Sequence, residues 1–162
     1  MIKTILVFSD SHGYHDNMVR AAAQYPDAEC VIHLGDGVED ARYLILPPTC
    51  GILTVRGNCD TFSKEPVLIE PELCGKKFMI CHGDAYGVRN DTLRLVTEAK
   101  RRGCDIALFG HTHEQYAEEV RYDGKILYVF NPGSITRPRI GRPGYGVIRI
   151  DGEAVTLTHR TV

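Results

Sequence analysis

Five short apolar runs, each closed by a turn that carries a histidine, an aspartate or an asparagine, limit what this chain can fold into. Ile2–Phe8 leads into Ser9-Asp10-Ser11-His12, Cys30–Leu34 into Gly35-Asp36-Gly37, and Ile52–Val55 into Arg56-Gly57-Asn58. Lys77–Cys81 leads into His82-Gly83, and Ile106–Phe109 into Gly110-His111-Thr112-His113. Short continuous runs of Ile, Val, Leu and Phe are the mark of strands buried on both faces. Helical patterns lie between the first three. Asn17–Tyr25 has Asp16 at the N-cap position and places Met18, Ala21, Ala22 and Tyr25 on one side, and Glu39–Leu46 is a short helix stopped by Pro47-Pro48. This β-α-β-α-β order calls for a parallel sheet with right-handed crossovers.

The second half changes style. Val67–Glu70 and Lys77–Cys81 read as strands around a Gly75 turn. Asp91–Arg102 reads as a helix with Leu93, Val96 and Ala99 on one face, a basic last turn and Gly103 as its stop. Gln115–Tyr122 and Lys125–Phe130 then flank Asp123-Gly124, and Gly146–Ile150 and Ala154–His159 flank Asp151-Gly152, two hairpin signals. The chain is expected to begin as α/β and to finish as antiparallel strands in a second sheet packed on the first. With no repeat, low-complexity stretch or linker, residues 1–162 are read as one domain.

Composition removes several function classes. Nineteen Lys and Arg against 21 Asp and Glu give a net charge of -2, which argues against broad electrostatic binding of nucleic acid or anionic membrane. No run approaches the ~18 apolar residues of a membrane span. The apolar start is too short for a signal peptide, and the six cysteines show no CxxC spacing. A cytoplasmic protein with reduced thiols is expected.

Loops at the carboxyl ends of parallel strands converge on one edge of a sheet, where ligands bind. That edge would collect Asp10, His12, Asp36, Asn58, His82, His111 and His113, a set of oxygen and nitrogen donors that suits two adjacent divalent cations. Side chains two apart in an extended loop point the same way, which pairs Asp10 with His12 and His111 with His113. Carboxylate, amide and imidazole together suit Mn²⁺ first, with Fe²⁺, Zn²⁺ or Ni²⁺ acceptable, rather than Ca²⁺ or Cu⁺. Glycines beside these residues (Gly13, Gly35, Gly57, Gly83, Gly110) permit sharp turns and close backbone approach.

Asp10-Ser11-His12, Gly35-Asp36, Gly57-Asn58-Cys59-Asp60, His82-Gly83-Asp84 and Gly110-His111-Thr112-His113 resemble the ordered motifs of the calcineurin-like metallophosphoesterase superfamily. Asn131-Pro132-Gly133-Ser134 is similar to its small bacterial and archaeal YfcE-like phosphodiesterase branch. The resemblance implies a four-layer α/β/β/α sandwich, two mixed sheets flanked by helices. It also implies one metal on Asp10, His12, Asp36 and His113, and a second on Asp36, Asn58, His82 and His111, with Asp36 bridging. Two such cations lower the pKa of a shared water, and the hydroxide so formed attacks phosphorus in line with the leaving alcohol. The expected substrate is a small phosphate ester, and a homo-oligomer is compatible with the sequence.

Where many members of the superfamily carry Gly-Asn-His, this chain has Cys59. A thiol can donate a proton to the leaving group, though without imidazole's cationic stabilisation, and simple packing is the other reading. Asp60 and Asp84 are placed to orient ligands, and His33 is read as structural. Arg137, Arg139 and Arg142 read as a solvated loop, with phosphate binding as the second reading. A non-catalytic scaffold on the same fold is the rival function, since the retromer's phosphoesterase-like subunit resembles this family. Against it stands the complete set of seven donors. A dinucleotide-binding fold would need Gly-x-Gly-x-x-Gly after the first strand, which Ser9-Asp10-Ser11-His12-Gly13 does not supply.

Overall fold

Along Lys3–Phe8 (β1), successive side chains are buried on opposite faces: Ile5 and Val7 enter one apolar cluster, Leu6 and Phe8 another. That period of two repeats through Lys76–Cys81 (β6), where Phe78 and Ile80 face the first cluster and Met79 and Cys81 a third. Strands buried on both sides need a layer above and a layer below. The computed structural model, which describes residues 1–162, supplies both with two mixed sheets packed face to face and a helix outside each.

In the first sheet β1 runs parallel to Cys30–His33 (β2), which runs parallel to Gly51–Thr54 (β3). Gly144–Asp151 (β10) pairs antiparallel with β1 on its other side, and Ala154–Thr161 (β11) closes that edge. In the second sheet β6, Ile106–Leu108 (β7) and Lys125–Pro132 (β9) are parallel neighbours. Gln115–Tyr122 (β8) pairs antiparallel with β9, and the short Leu68–Ile69 (β4) and Glu72–Leu73 (β5) both pair with β6. Asp16–Ala22 (α1) covers the first sheet with Met18, Ala21 and Ala22, and Leu93–Arg101 (α2) covers the second with Leu95, Val96 and Ala99. The four-layer expectation holds.

Several local expectations change. Asp16 is not an N-cap: it is the first residue of α1, where its carboxylate meets the positive helix end, and His15 before it makes no capping bond. The helix stops at Ala22 rather than Tyr25, because Gln24 and Tyr25 turn on i to i−3 bonds and Pro26 steers Tyr25 away from helical geometry. Glu39–Leu46 becomes a 3₁₀ segment, Val38–Tyr43. The two hairpins also part company. β8 and β9 extend the second sheet, but β10 and β11 return to the first. The reason lies in β10, which carries Tyr145 and Val147 on one face and Ile148 and Ile150 on the other, so it requires a place inside a sheet covered on both sides.

Gly146 of β10 is a point of close approach between the two sheets. A Cβ there would lie 2.3 Å from Cε1 of the buried Phe130, whose ring also stacks on His159 at 4.4 Å between centroids. Phe130 has no room to retreat. Gly146→Ala is therefore expected to destabilise the protein by about 1–3 kcal/mol through overpacking, read as a lower urea midpoint with an unchanged m-value. An unaltered midpoint would show that the sheets separate more easily than this packing implies.

Candidate metal centre

The strand ends of both sheets meet at one seam. His111 N–H donates to Asp10 Oδ2 at 3.1 Å, and Gly110 N–H to the His82 carbonyl at 2.9 Å. His82 Nδ1 lies 2.7 Å from the Leu34 carbonyl and donates to it, which ties the second sheet to the loop that carries Asp36. Close approach is enforced at two glycines. A Cβ at Gly110 would sit 2.0 Å from Ser9 Oγ, and one at Gly57 would sit 2.1 Å from Asp36 Oδ1.

Six of the seven donors read from the sequence gather into two adjoining groups. Asp10, His12 and His113 form one and Asp36, His82 and His111 the other, with the ligand atoms of each group within 4.8 Å of one another. Nε2 of His12 and Nε2 of His113 are 3.2 Å apart, and His82 Nε2 is 3.2 Å from Asp36 Oδ2. The groups touch through His12, whose Nε2 is 4.0 Å from Asp36 Oδ2. Asn58, the seventh, is exposed, and its carboxamide makes its one hydrogen bond to Cys59 Sγ at 3.7 Å. Cys59 Sγ is itself within 4.8 Å of His12 and Asp36 donor atoms.

The loops are not extended, contrary to the sequence reading. Asp10, His12, Asp36, His111 and His113 all have left-handed backbones, with φ between 48° and 70°, and only two other non-glycine residues in the chain do. Such residues cost of order 1–3 kcal/mol each and persist only where the surroundings over-determine them. The surroundings are visible. Asp60, anticipated as an orienting residue, accepts from the backbone N–H of Asp36 (2.7 Å), Gly37 (2.8 Å), Val38 (3.2 Å) and Gly57 (2.8 Å). Asp84 makes no hydrogen bond to the site.

Other clamps were not read from the sequence. Buried Asp40 holds the Asp10–Gly13 loop by accepting from Ser11 Oγ at 2.6 Å and Gly13 N–H at 2.9 Å. Ser134 Oγ donates to the Asp10 carbonyl at 2.8 Å, and Asn131 Nδ2 donates to Gly110 O at 3.0 Å and Thr112 Oγ1 at 2.9 Å. The Asn131–Ser134 segment carries a family resemblance in the sequence but nothing there that gives it a role. Asp40 gave no signal, since an acidic residue in a short helical pattern reads as solvated surface. Arg89 is the other omission: its Nε donates to His111 Nε2 at 3.0 Å. A neutral His111 then carries its proton on Nδ1, so a cation bound at Nδ1 requires Arg89 to let go.

Charges are balanced in pairs. Burial opposes ionisation of Asp36, but His82 and the Cys59 N–H overcome it and hold the carboxyl well below its usual range. Burial likewise opposes the Asp10 carboxylate, and His113, His82 and Ser9 outweigh it. His113 is raised by Asp10 against its burial, and His82 is raised by Asp36 and Asp10 despite being almost wholly enclosed. His111 is lowered by burial, then by His82 and Arg89. Partial burial and the Asp36 carboxylate raise the Cys59 thiol, so it keeps its proton.

A profile of the calcineurin-like phosphoesterase superfamily domain matches residues 4–153. The chain belongs to that superfamily. It is 31% identical over 158 residues to the probable metallophosphoesterase YsnB of Bacillus subtilis (strain 168), covering 94% of this chain and 88% of YsnB. It is also 31% identical over 113 residues to the phosphodiesterase YfcE of Escherichia coli (strain K12), covering 62% of this chain and 53% of YfcE. Among solved structures, a conserved protein of Streptococcus pneumoniae TIGR4 described as a predicted phosphoesterase superposes with a TM-score of 0.80 at 28% identity, covering 99% of this chain and 90% of that one. Family, fold and the resemblance read from the motifs agree. No helix is long and apolar enough to cross a membrane.

Behind the centre, His33 is fully buried and must stay neutral. Gly35 N–H donates to its Nδ1 at 3.0 Å, so Nε2 carries the proton and donates to Ser11 Oγ at 2.9 Å. Burial lowers its pKa to about 4. Between that value and the ordinary one of about 6.5, the unfolded chain binds a proton that the folded chain refuses, so stability falls as pH is lowered through the window. His82 and His113, whose values are raised, contribute fully below about 6.5 and do not oppose this. For chelated protein the loss is expected to total about 3 kcal/mol, most of it above pH 5, measured by urea midpoints. A flat profile from pH 6.5 to 4 would contradict the buried neutral ring.

Proposed function

We propose that the protein hydrolyses phosphate esters, phosphodiesters foremost, at a centre of two divalent cations, with Mn²⁺ the preferred ion. Asp10, His12, Asp36 and His113 would hold one ion, and Asp36, Asn58, His82 and His111 the other. The observation that carries this reading is Asp10 Oδ1. It is buried, has no hydrogen-bond partner, and lies 3.2, 3.8 and 3.9 Å from Nε2 of His113, His12 and His82. An anionic oxygen left without a donor among imidazole nitrogens is costly in a dry site and suited to a cation.

The donor chemistry supports the same reading. His113 Nδ1 donates to the Arg137 carbonyl at 2.7 Å and His82 Nδ1 to the Leu34 carbonyl, so in the neutral rings both Nε2 lone pairs face the centre. Carboxylates and imidazoles without thiolate ligands suit Mn²⁺, Fe²⁺ or Zn²⁺. When bound, paired cations supply Lewis acidity towards phosphoryl oxygens and acidify a shared water. The chain's own part is positional. Asp36, pinned through Asp60, presents one carboxylate to both groups, and the buried His82 excludes bulk water from the floor. Cys59, held protonated at the exposed side, stands where it can give a proton to a departing alkoxide. Six free thiols accord with a cytoplasmic setting.

Chelated protein is expected to be inactive on bis(p-nitrophenyl) phosphate and to recover with Mn²⁺, and Asp36→Asn to lower kcat/KM by about 100-fold or more. In the same assay Cys59→Ala should spare p-nitrophenyl esters, whose leaving group needs no proton, and slow alkyl esters by about 100-fold. Turnover that ignores chelation or survives Asp36→Asn would refute the metal reading. Equal effects of Cys59→Ala on both ester types would remove the thiol from proton transfer.

A further inference from the structure

A phosphodiester brings two ester arms to the centre, and at least one must lie against protein. Two cavities border the site. The one beside Asn58, between Arg56–Thr61 and Asp84, measures about 240 Å³. The other measures about 600 Å³ and runs between Gly13–Asn17 and Thr136–Arg137. Its walls continue the two loops that carry His12 and His113. Thr136 Oγ1 donates towards the carbonyls of Asp10 (3.1 Å) and Ser11 (3.2 Å), Asn17 Nδ2 donates to Ile135 O at 2.9 Å, and the Arg137 carbonyl receives His113 Nδ1. The groove is therefore stapled open before any ligand arrives.

We propose that this groove binds the nucleoside arm of a nucleotidyl phosphodiester, with the base stacked on Tyr14 and Arg137. The inference rests on the phosphoesterase reading above and names its substrate class. Tyr14 is 62% exposed and its phenol makes no hydrogen bond, while the Arg137 guanidinium lies 5.5 Å from the centre of its ring and forms no ion pair. An exposed ring beside an unpaired planar cation is a platform for a flat, electron-rich group. Tyr14 supplies the one hydrophobic side chain of the lining, which argues against an acyl chain. A volume of this size accepts a nucleoside.

The groove also says how selective it is. Asn17 has its amide engaged at both ends, receiving from Arg20 at its oxygen and giving to Ile135, and the Thr136 hydroxyl is committed to the backbone. Neither reads a base edge. Stacking alone discriminates weakly, so adenine and uracil arms are both accepted, with adenine favoured for its larger surface.

The test is equilibrium binding of AMP, UMP, ribose 5-phosphate and inorganic phosphate to the Mn²⁺-supplemented protein by calorimetry. AMP is expected to bind about tenfold more tightly than ribose 5-phosphate, the worth of one stacked base, with UMP between them. Tyr14→Phe should keep the AMP preference, and Tyr14→Ala should reduce it to less than about twofold; the residue is exposed, so neither change threatens folding. Equal affinity for AMP and ribose 5-phosphate would overturn the inference, as would a preference that survives Tyr14→Ala. Phosphate binding without a base preference would sink the groove assignment alone, and no binding of any phosphate compound would sink the phosphoesterase reading with it.

Discussion

One oxygen governs the arrangement. Asp10 Oδ1 is buried at the seam of two sheets with three imidazoles around it and no donor aimed at it. Its sister oxygen is fully occupied, by Ser9 Oγ at 2.5 Å and His111 N–H. The carboxylate is thus fixed by one oxygen and left demanding by the other. Everything nearby follows from needing positive charge at that point. His113 and His82 are raised towards the protonated form, and Asp36 forms a matching pair with His82.

The fold's contribution is to make that arrangement rigid. Candidate ligands sit on left-handed backbone that a free chain would avoid, and buried carboxylates and hydroxyls hold it there. Asp60 gathers four N–H groups of the Asp36 and Gly57 turns, Asp40 gathers the turn after β1, and Asn131 gathers the turn after β7. Each lies in a connection or at a strand end that follows from the parallel strand order, Asp40 in the 3₁₀ segment after β2, so strand burial and site geometry have one origin. Apolar period-two patterns lock the strands in register, and the strand tips inherit that precision.

Those apolar patterns are why so much of the architecture was legible. Runs such as Ile5–Phe8 and Phe78–Cys81 admit few burial solutions, and the Asp-Gly dipeptides fix hairpins through positive φ at Asp123 and Gly124. What the sequence hid is tertiary. Nothing local says that β10 returns to β1 instead of extending the second sheet, because the pairing that decides it, Lys3–Val7 with Gly146–Ile150, joins residues far apart in the chain. Asp40 and Arg89 look like surface charges until folding sets them against Ser11 and His111. The donors themselves were legible because imidazole and carboxylate at consecutive strand ends have few structural uses.

The account stands on two cation sites that share Asp36. Equilibrium dialysis of the chelated protein against Mn²⁺, with metal counted by elemental analysis, tests it most directly. Two equivalents per chain are expected, falling to one in His113→Ala, where only the Asp10 group is damaged, and below one in Asp36→Ala, which touches both. A native chain that retains a single equivalent, or an Asp36→Ala chain that still holds two, would contradict it.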